Sequence, residues 1–381
     1  MRTAIFGGSF DPVHAEHVCI VRAAKEKLGL DRIFVVPALS APHKDGCAAS
    51  AEDRLAMCRL AFSSEAGCEV SPYEIRAEGT SYTYRTAEYF RARYPGDDLF
   101  LLTGADMLGS FHTWKEPEKI LSCARLAVCG REGQEITLSG ERKRFFKRFG
   151  TDFVPVGYTG RDVSSSRIRV LCAFGGDTGG LLSPEVREYI DARALYSIPH
   201  IRDAMRYLKP ARAKHSLRVA FLAAELARKN HVPERDAVQA AALHDAAKYL
   251  SAESPELAGF RLGEPVPPSV LHQYTGAYLA EHTLGITDPD ILNAIRYHTT
   301  GRPGMSKLEE IIYLADMLEE GRDFPGVVKL RRCLSAESLD ESMYRCLKHQ
   351  TAYLGGEKET VSPLTAQAYE YYSNLHKANK N

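Results

Sequence analysis

The chain lacks a charge excess, long apolar runs, paired cysteines and, with one exception, tryptophan. Lys plus Arg and Asp plus Glu number 49 each among 381 residues, so bulk charge offers no footprint for a nucleic acid or a membrane surface. Nine cysteines are scattered without a CxxC pair. An odd, unpaired set argues against a disulfide framework or a zinc ribbon and fits reduced thiols. No apolar run approaches the roughly 18 residues of a membrane span, and no leader-like stretch precedes the first strand, so a cytoplasmic protein is expected. There is no internal repeat and no low-complexity segment.

What is present divides into two halves, as the length of the chain suggests. In the first, β-rich runs (Thr3 to Phe6, Arg32 to Pro37, Glu69 to Ile75, Leu99 to Thr103, Leu126 to Cys129, Phe153 to Val156) alternate with helical segments such as Glu16 to Leu28 and Thr83 to Arg93. That alternation predicts an α/β, Rossmann-like parallel sheet with helices on both faces. From about residue 200 the strand pattern stops. Apolar positions then recur at spacings of three and four, as in Val219, Leu222 and Leu226, and predict an all-α second domain. The join is expected near Leu195 to Pro199, giving domains 1–197 and 198–381.

The first chemistry-bearing stretch is "AIFGGSFDPVHAEH", Ala4 to His17. A strand running into Gly7, Gly8, Ser9 and Phe10 places close-approaching backbone beyond its carboxyl end, where open α/β sheets bind ligands. With a helix starting near Ala15, His14 and His17 lie at its N-terminus, where imidazoles donate to phosphate oxygens and stabilise charge on a leaving pyrophosphate. A second phosphate-handling element is the cluster Ser164, Ser165, Ser166, Arg167 and Arg169, an N-cap group with adjacent cations. Between the two lie "APHK" with Lys44, "GTSYTYRT" with Tyr82 and Thr83, and "LLTGADMLGSFHTW" with Asp106 and the lone Trp114.

In order and spacing these motifs resemble nicotinate-nucleotide adenylyltransferase, of the nucleotidyltransferase superfamily marked by a GSFDPxHxGH loop, over residues 1 to 197. The resemblance implies that His14, His17, Lys44, Ser165 and Arg169 hold the ATP phosphates. It further implies that Asp106, Trp114 and the Tyr82-Thr83 backbone hold the pyridine nucleotide, with magnesium accompanying ATP. In the implied reaction the phosphate of nicotinate mononucleotide attacks the α-phosphorus of ATP, and no protein nucleophile is required. Glu16 departs from the family pattern, which has glycine between the histidines. It either points to solvent, the expected outcome, or weakens ATP binding and leaves an altered domain.

The second half carries His215, His244, Asp245, His272, His298 and Asp316 on successive helical segments. Imidazoles and carboxylates suit iron, manganese or zinc, and six such ligands can hold two metals with positions left for water and substrate. The other histidines, His231, His282, His349 and His376, read as surface residues. The stretches "KHSLRVA", "LHDAAKY", "LHQYTGA" and "IRYHTTGRPGMSKLEEIIYLADMLEEGRDFPGV" resemble the HD-domain phosphohydrolases, and within them the YqeK-like symmetrical bis(5'-nucleosyl)-tetraphosphatases. This resemblance implies an HD-domain helical bundle with a di-iron centre on those six ligands. Asp245 would be the bridge, and diadenosine tetraphosphate would be cleaved to two ADP. Lys248, with Arg322 or Lys307, would neutralise the polyphosphate. Two other readings stay open: a cyclic dinucleotide or alarmone as the second domain's substrate, and a first domain that only binds nucleotide.

Overall fold

The computed structural model describes residues 1–39, 48–77, 79–131, 135–158, 163–356 and 361–379. The chain forms two compact units, Met1–Arg169 with Asp177–Tyr196, and Val170–Gly176 with Ser197–Asn381. The division is therefore not a single cut. Val170 and Ala173 are buried with Ile201 and Ala204 in the helical core, which counts their short segment to the second unit.

The first unit is built on six parallel strands, β1 (Arg2–Gly8), β2 (Arg32–Pro37), β3 (Cys68–Val70), β4 (Asp98–Gly104), β5 (Arg125–Arg131) and β6 (Val154–Tyr158), in the order β3-β2-β1-β4-β5-β6. β1 is central, with Ala4 opposite Ile33 on one side and Phe100 on the other. Unbroken apolar runs such as "AIF" and "LFLL" suit strands covered on both faces: Ala4, Ile5, Phe100 and Leu101 are all buried. The run from Glu69 to Ile75 is not one strand. It pairs only as far as Val70, and after Pro72 the chain turns into a short helix that Thr86 fastens by a 2.5 Å hydrogen bond to buried Glu74.

The helices of this unit are α1 (Ala15–Leu28), α2 (Ala51–Ala61), α3 (Tyr73–Arg76), α4 (Thr83–Arg93), α5 (Ala105–Leu108), α6 (Pro117–Cys123), α7 (Glu135–Phe149), the first half of α8 (Ser165–Phe174), whose residues from Val170 belong to the second unit, and α9 (Pro184–Ala192). Because β2 and β3 lie to one side of β1 and β4 to the other, the connections diverge at the β1–β4 crevice, the usual ligand position in such sheets. Among the described residues no helix is long and apolar enough to cross a membrane.

The second unit is all helical: α10 (Ile201–Met205), α11 (Pro210–Lys229), α12 (Glu234–Leu243), α13 (Pro268–Tyr278), α14 (Pro289–Tyr297), α15 (Lys307–Leu318), α16 (Val327–Ala336), α17 (Leu339–Gly356) and α18 (Pro363–Ala378). Its core is alanine-rich, with Ala220, Ala223, Ala224 and Ala227 of α11 and Ala240, Ala241 and Ala242 of α12 fully or nearly fully buried. Small side chains let these helices approach closely, which draws together polar groups carried by different helices. Gly276 serves the same purpose in α13, since a Cβ there would stand 3.3 Å from the His244 carbonyl oxygen.

Candidate active sites

In the first unit the β1 strand ends in Gly7 and Gly8, at the crevice. A Cβ on Gly8 would lie 3.0 Å from the Phe10 ring, so a side chain there would displace that ring. Phe10 itself is buried with φ of 49°, and its ring centroid lies 4.9 Å from that of His17. His14 caps α1, and its backbone N–H donates to His17 Nδ1 at 3.1 Å. With Nδ1 accepting, a neutral His17 carries its proton on Nε2 and offers it as a donor. The two imidazoles face each other with centroids 3.8 Å apart. Burial pushes His14 down to about 4, so the ring is neutral near pH 7, and its buried Nδ1 has no hydrogen-bond partner among the described residues.

Two further elements brace this loop. Asp11 accepts from the Ala48 N–H (2.7 Å), the Ala49 N–H (3.1 Å) and the Tyr196 hydroxyl (2.8 Å). Arg169 Nη1 donates to the Asp11 carbonyl at 2.6 Å, and Ser165 Oγ to the Pro12 carbonyl at 3.0 Å. The serine–arginine cluster is thus brought to the glycine-rich loop, where these two side chains hold the loop's own backbone. Ser164 accepts from the Arg167 N–H as a helix cap, and Ser166 is buried.

Around the same strand ends, Tyr82 precedes α4 and Thr83 begins it, and the Lys115 ammonium stands 4.6 Å from the centre of the Tyr82 ring. Trp114, half-buried, packs on Phe111 at 5.1 Å, and its buried Nε1 has no partner among the described residues. Asp106 is exposed in α5, directly beyond β4. Pro42, His43 and Lys44 lie outside the described residues. Glu16 does not point to solvent: it is 4% exposed in the first turn of α1, where the helix N-terminus favours a carboxylate.

In the second unit the six expected ligands converge. His215 comes from α11, His244 and Asp245 from the end of α12, His272 from α13, His298 from the residue after α14, and Asp316 from α15. Asp245 lies between two imidazole pairs. Its Oδ1 is 3.3 Å from His272 Nε2 and 3.9 Å from His298 Nε2, whereas its Oδ2 is 3.3 Å from His244 Nε2 and 3.9 Å from His215 Nε2. Asp316 Oδ1 stands 2.9 Å from His215 Nε2 and 3.8 Å from His244 Nε2. Each of three rings is turned inward through its other nitrogen. His244 and His298 bond at 2.7 Å to the Ala241 and Ile295 carbonyls, and His215 Nδ1 lies 3.0 Å from buried Glu319.

The electrostatics suit a cation. Buried imidazoles nearby hold the Asp245 carboxyl far below the usual carboxylate range despite burial, and His215 with Arg322 does the same for Asp316. Burial, the largest cause for each, pushes His272 to about 3 and His298 to about 4, leaving both neutral as ligands must be. His244 Nε2 and Asp245 Oδ1 are buried with no hydrogen-bond partner among the described residues, an arrangement that a metal ion satisfies. The donor set fits a divalent metal ion.

Lys248 reaches His272 Nε2 at 2.9 Å and Asp245 Oδ1 at 3.7 Å, and Arg322 bonds both Asp316 and its backbone carbonyl. Lys307 is not part of the cluster, since its ammonium bonds the Asn230 carbonyl. Arg212, 2.9 Å from Asp245 Oδ2, and Glu319 belong to the site without having been expected. Arg212 lies one helical turn before His215 and on the same face, a spacing that could have revealed it. His376 is not a plain surface residue, because it stacks on Tyr344 at 4.0 Å and pairs with Glu341.

A stability effect follows from His14. Unfolded, it protonates near 6.5 and folded near 4, so between these values the unfolded state binds the extra proton and stability is lost as the pH is lowered, by up to about 3 kcal/mol. Trp114, the single tryptophan, reports on this unit alone. Urea unfolding followed by its fluorescence should show His14→Gln losing less stability than the unmodified chain between about pH 7 and pH 5. Equal losses would contradict the assignment.

Residues 5–171 match the cytidylyltransferase-like family and residues 212–321 the HD domain. A Mycoplasma genitalium protein named as a probable nicotinate-nucleotide adenylyltransferase/Ap4A hydrolase is 32% identical over 321 residues, which cover 84% of this chain and 87% of that one. Its Mycoplasma pneumoniae namesake is 31% identical over 339 residues, 86% of this chain and 94% of that one. A probable nicotinate-nucleotide adenylyltransferase from Aquifex aeolicus is 40% identical over 164 residues, 42% of this chain and 98% of that one. The chain belongs to the family of proteins that join a nicotinate-nucleotide adenylyltransferase to an Ap4A hydrolase.

Proposed function

We propose that one polypeptide carries out two reactions on adenylyl polyphosphates. The first joins ATP and nicotinate mononucleotide into nicotinate adenine dinucleotide, a step of NAD biosynthesis. The second hydrolyses diadenosine tetraphosphate symmetrically to two ADP. The observation that carries the second is the placement of Asp245, one carboxylate oxygen toward each imidazole pair. The first rests on the glycine-rich loop and paired imidazoles at the β1–β4 crevice, together with the family's name.

In adenylyl transfer a phosphate oxygen of the mononucleotide forms a bond to the α-phosphorus of ATP while the bond to the β-phosphate oxygen breaks. Pyrophosphate leaves, and magnesium travels with the ATP. The residues do this by positioning and charge. The backbone of Gly7, Gly8, Ser9 and Phe10, with His14, His17 and Lys44, receives the triphosphate. Ser165 and Arg169 keep the loop in shape and face the same anion. Tyr82, Thr83, Asp106 and Trp114 take the pyridine nucleotide, with the indole as a stacking surface.

For hydrolysis the site would hold two divalent metals, iron in our reading with manganese as the other fit, which would lower the pKa of a water toward neutrality. His215, His244 and Asp316 with one oxygen of Asp245 would hold one ion, and His272 and His298 with the other oxygen would hold the second. Lys248, Arg212 and Arg322, now bonded to these ligands, supply cations for the bridging phosphates. All three substrates are nucleotides, and a cytoplasmic setting is in keeping with free thiols at the described cysteines.

Asp245→Asn should reduce diadenosine tetraphosphate hydrolysis more than about 100-fold and lower bound metal as read by mass spectrometry, while leaving dinucleotide formation unchanged. Retention of both metal ions would contradict the bridge. The unmodified chain should form dinucleotide and pyrophosphate from ATP and nicotinate mononucleotide. Glu16→Gly should lower KM for ATP by about three- to tenfold, because the glutamate competes with phosphate for the α1 N-terminus. Turnover that appears only in Glu16→Gly would mean the first unit binds nucleotide without transferring it.

A further inference from the structure

Arg54 of α2 is 1% exposed, the largest of the fully buried side chains. Among the described residues its guanidinium meets only main-chain oxygens: Nη1 donates to Ser9 at 2.7 Å, Nη2 to Leu39 at 3.1 Å, and Nε, at 3.4 Å, to Ala49. Ser9 follows β1, Leu39 follows β2 and Ala49 precedes α2, so one side chain ties together the loops that leave two neighbouring strands. No carboxylate pairs with it among the described residues. The adjacent Asp53 is taken by Arg193, Tyr189 and Ser50, and Asp11 by Ala48, Ala49, Tyr196 and Arg169.

Carbonyl dipoles satisfy the N–H donors of a guanidinium but leave its net charge, and a cation this deep, with no counter-charge among the described residues, is costly to a fold. Its position shows what offsets that cost. The Ser9–Phe10 peptide is trans, so a Ser9 carbonyl held on Arg54 turns the Phe10 N–H to the opposite side. The same contact holds the loop where Phe10 takes its left-handed φ of 49°, a region that non-glycine residues occupy only when the surroundings dictate it.

We propose that Arg54 is a positioning residue for adenylyl transfer. From beneath the glycine-rich loop it fixes the Ser9–Phe10 peptide and provides a buried positive charge whose counter-ion is the triphosphate of ATP. This rests on the reading that the loop binds ATP. It adds a residue, 45 positions from the loop, that anchors the loop without touching substrate.

The test uses the full chain, with Arg54→Met removing charge and fork while keeping the apolar stem, and Arg54→Lys keeping charge without the fork. Calorimetric binding of inorganic pyrophosphate and of ATP should weaken about tenfold or more in Arg54→Met and by a smaller factor in Arg54→Lys. KM for nicotinate mononucleotide should stay within about twofold, and diadenosine tetraphosphate hydrolysis, the internal control on the chain, should not change. A general loss of packing would instead raise both KM values together and shift the Trp114 fluorescence, and that outcome in both variants overturns the proposal. If only Arg54→Met fails to fold, Arg54→Lys decides: unchanged pyrophosphate binding overturns the proposal and weakened binding at constant mononucleotide KM supports it. An unmodified chain that binds neither ATP nor pyrophosphate overturns the adenylyl-transfer reading itself. Binding that is present but indifferent to Arg54 overturns only the role of Arg54.

Discussion

Burying a polar atom without its partner costs free energy, and this chain does so where its chemistry is expected. His14 Nδ1 in the first unit, and His244 Nε2 and Asp245 Oδ1 in the second, are shielded from water with no hydrogen-bond partner among the described residues. Arg54 adds a buried charge that meets only carbonyls among the described residues. Arg32 Nε, Trp114 Nε1 and Ser216 Oγ are also buried without a hydrogen-bond partner among the described residues, whereas buried carboxylates such as Glu309 and Glu74 are matched within the fold. Glu309 takes Arg302 through two 2.7 Å bonds, and Glu74 takes Thr86. We read the unmatched groups at the two sites as places that something outside the chain, a polyphosphate or a metal ion, completes.

The two units meet that constraint with different means. The first relies on fixed dipoles and neutral imidazoles at the start of a helix, with a tautomer set by the His14 N–H on His17 Nδ1. The second relies on ligands fastened from behind. Backbone carbonyls hold His244 and His298, and Glu319 holds His215, so that the free nitrogens converge on Asp245 and Asp316. Small residues make this convergence possible, since alanines in α11 and α12 and Gly276 in α13 allow backbones to come close enough for short ligands to meet.

Much of this was legible in the sequence because local pattern and local chemistry agree. The run from Arg32 to Pro37 is a strand over that same span, and Thr83 to Arg93 is a helix over the same residues, since their periodicities are uninterrupted. The convergence of the histidines and aspartates was legible because such residues in alanine- and leucine-rich helices have few other uses. What sequence could not show depends on tertiary contact. Pro72 ends the pairing of β3, so the apolar residues after it enter a helix. Glu16 looked able to reach water, yet packing around the first turn of α1 buries it. Arg54 and Glu319 carry no local signal, because their importance lies in carbonyls and a ring brought to them from distant positions.

The most direct test of the account is anomalous diffraction from crystals of the full chain soaked with manganese. The account predicts two ions in the second unit, each bound by one oxygen of Asp245, with His215, His244 and Asp316 on one and His272 and His298 on the other. A single ion, or two ions with Asp245 bound to only one of them, would contradict it.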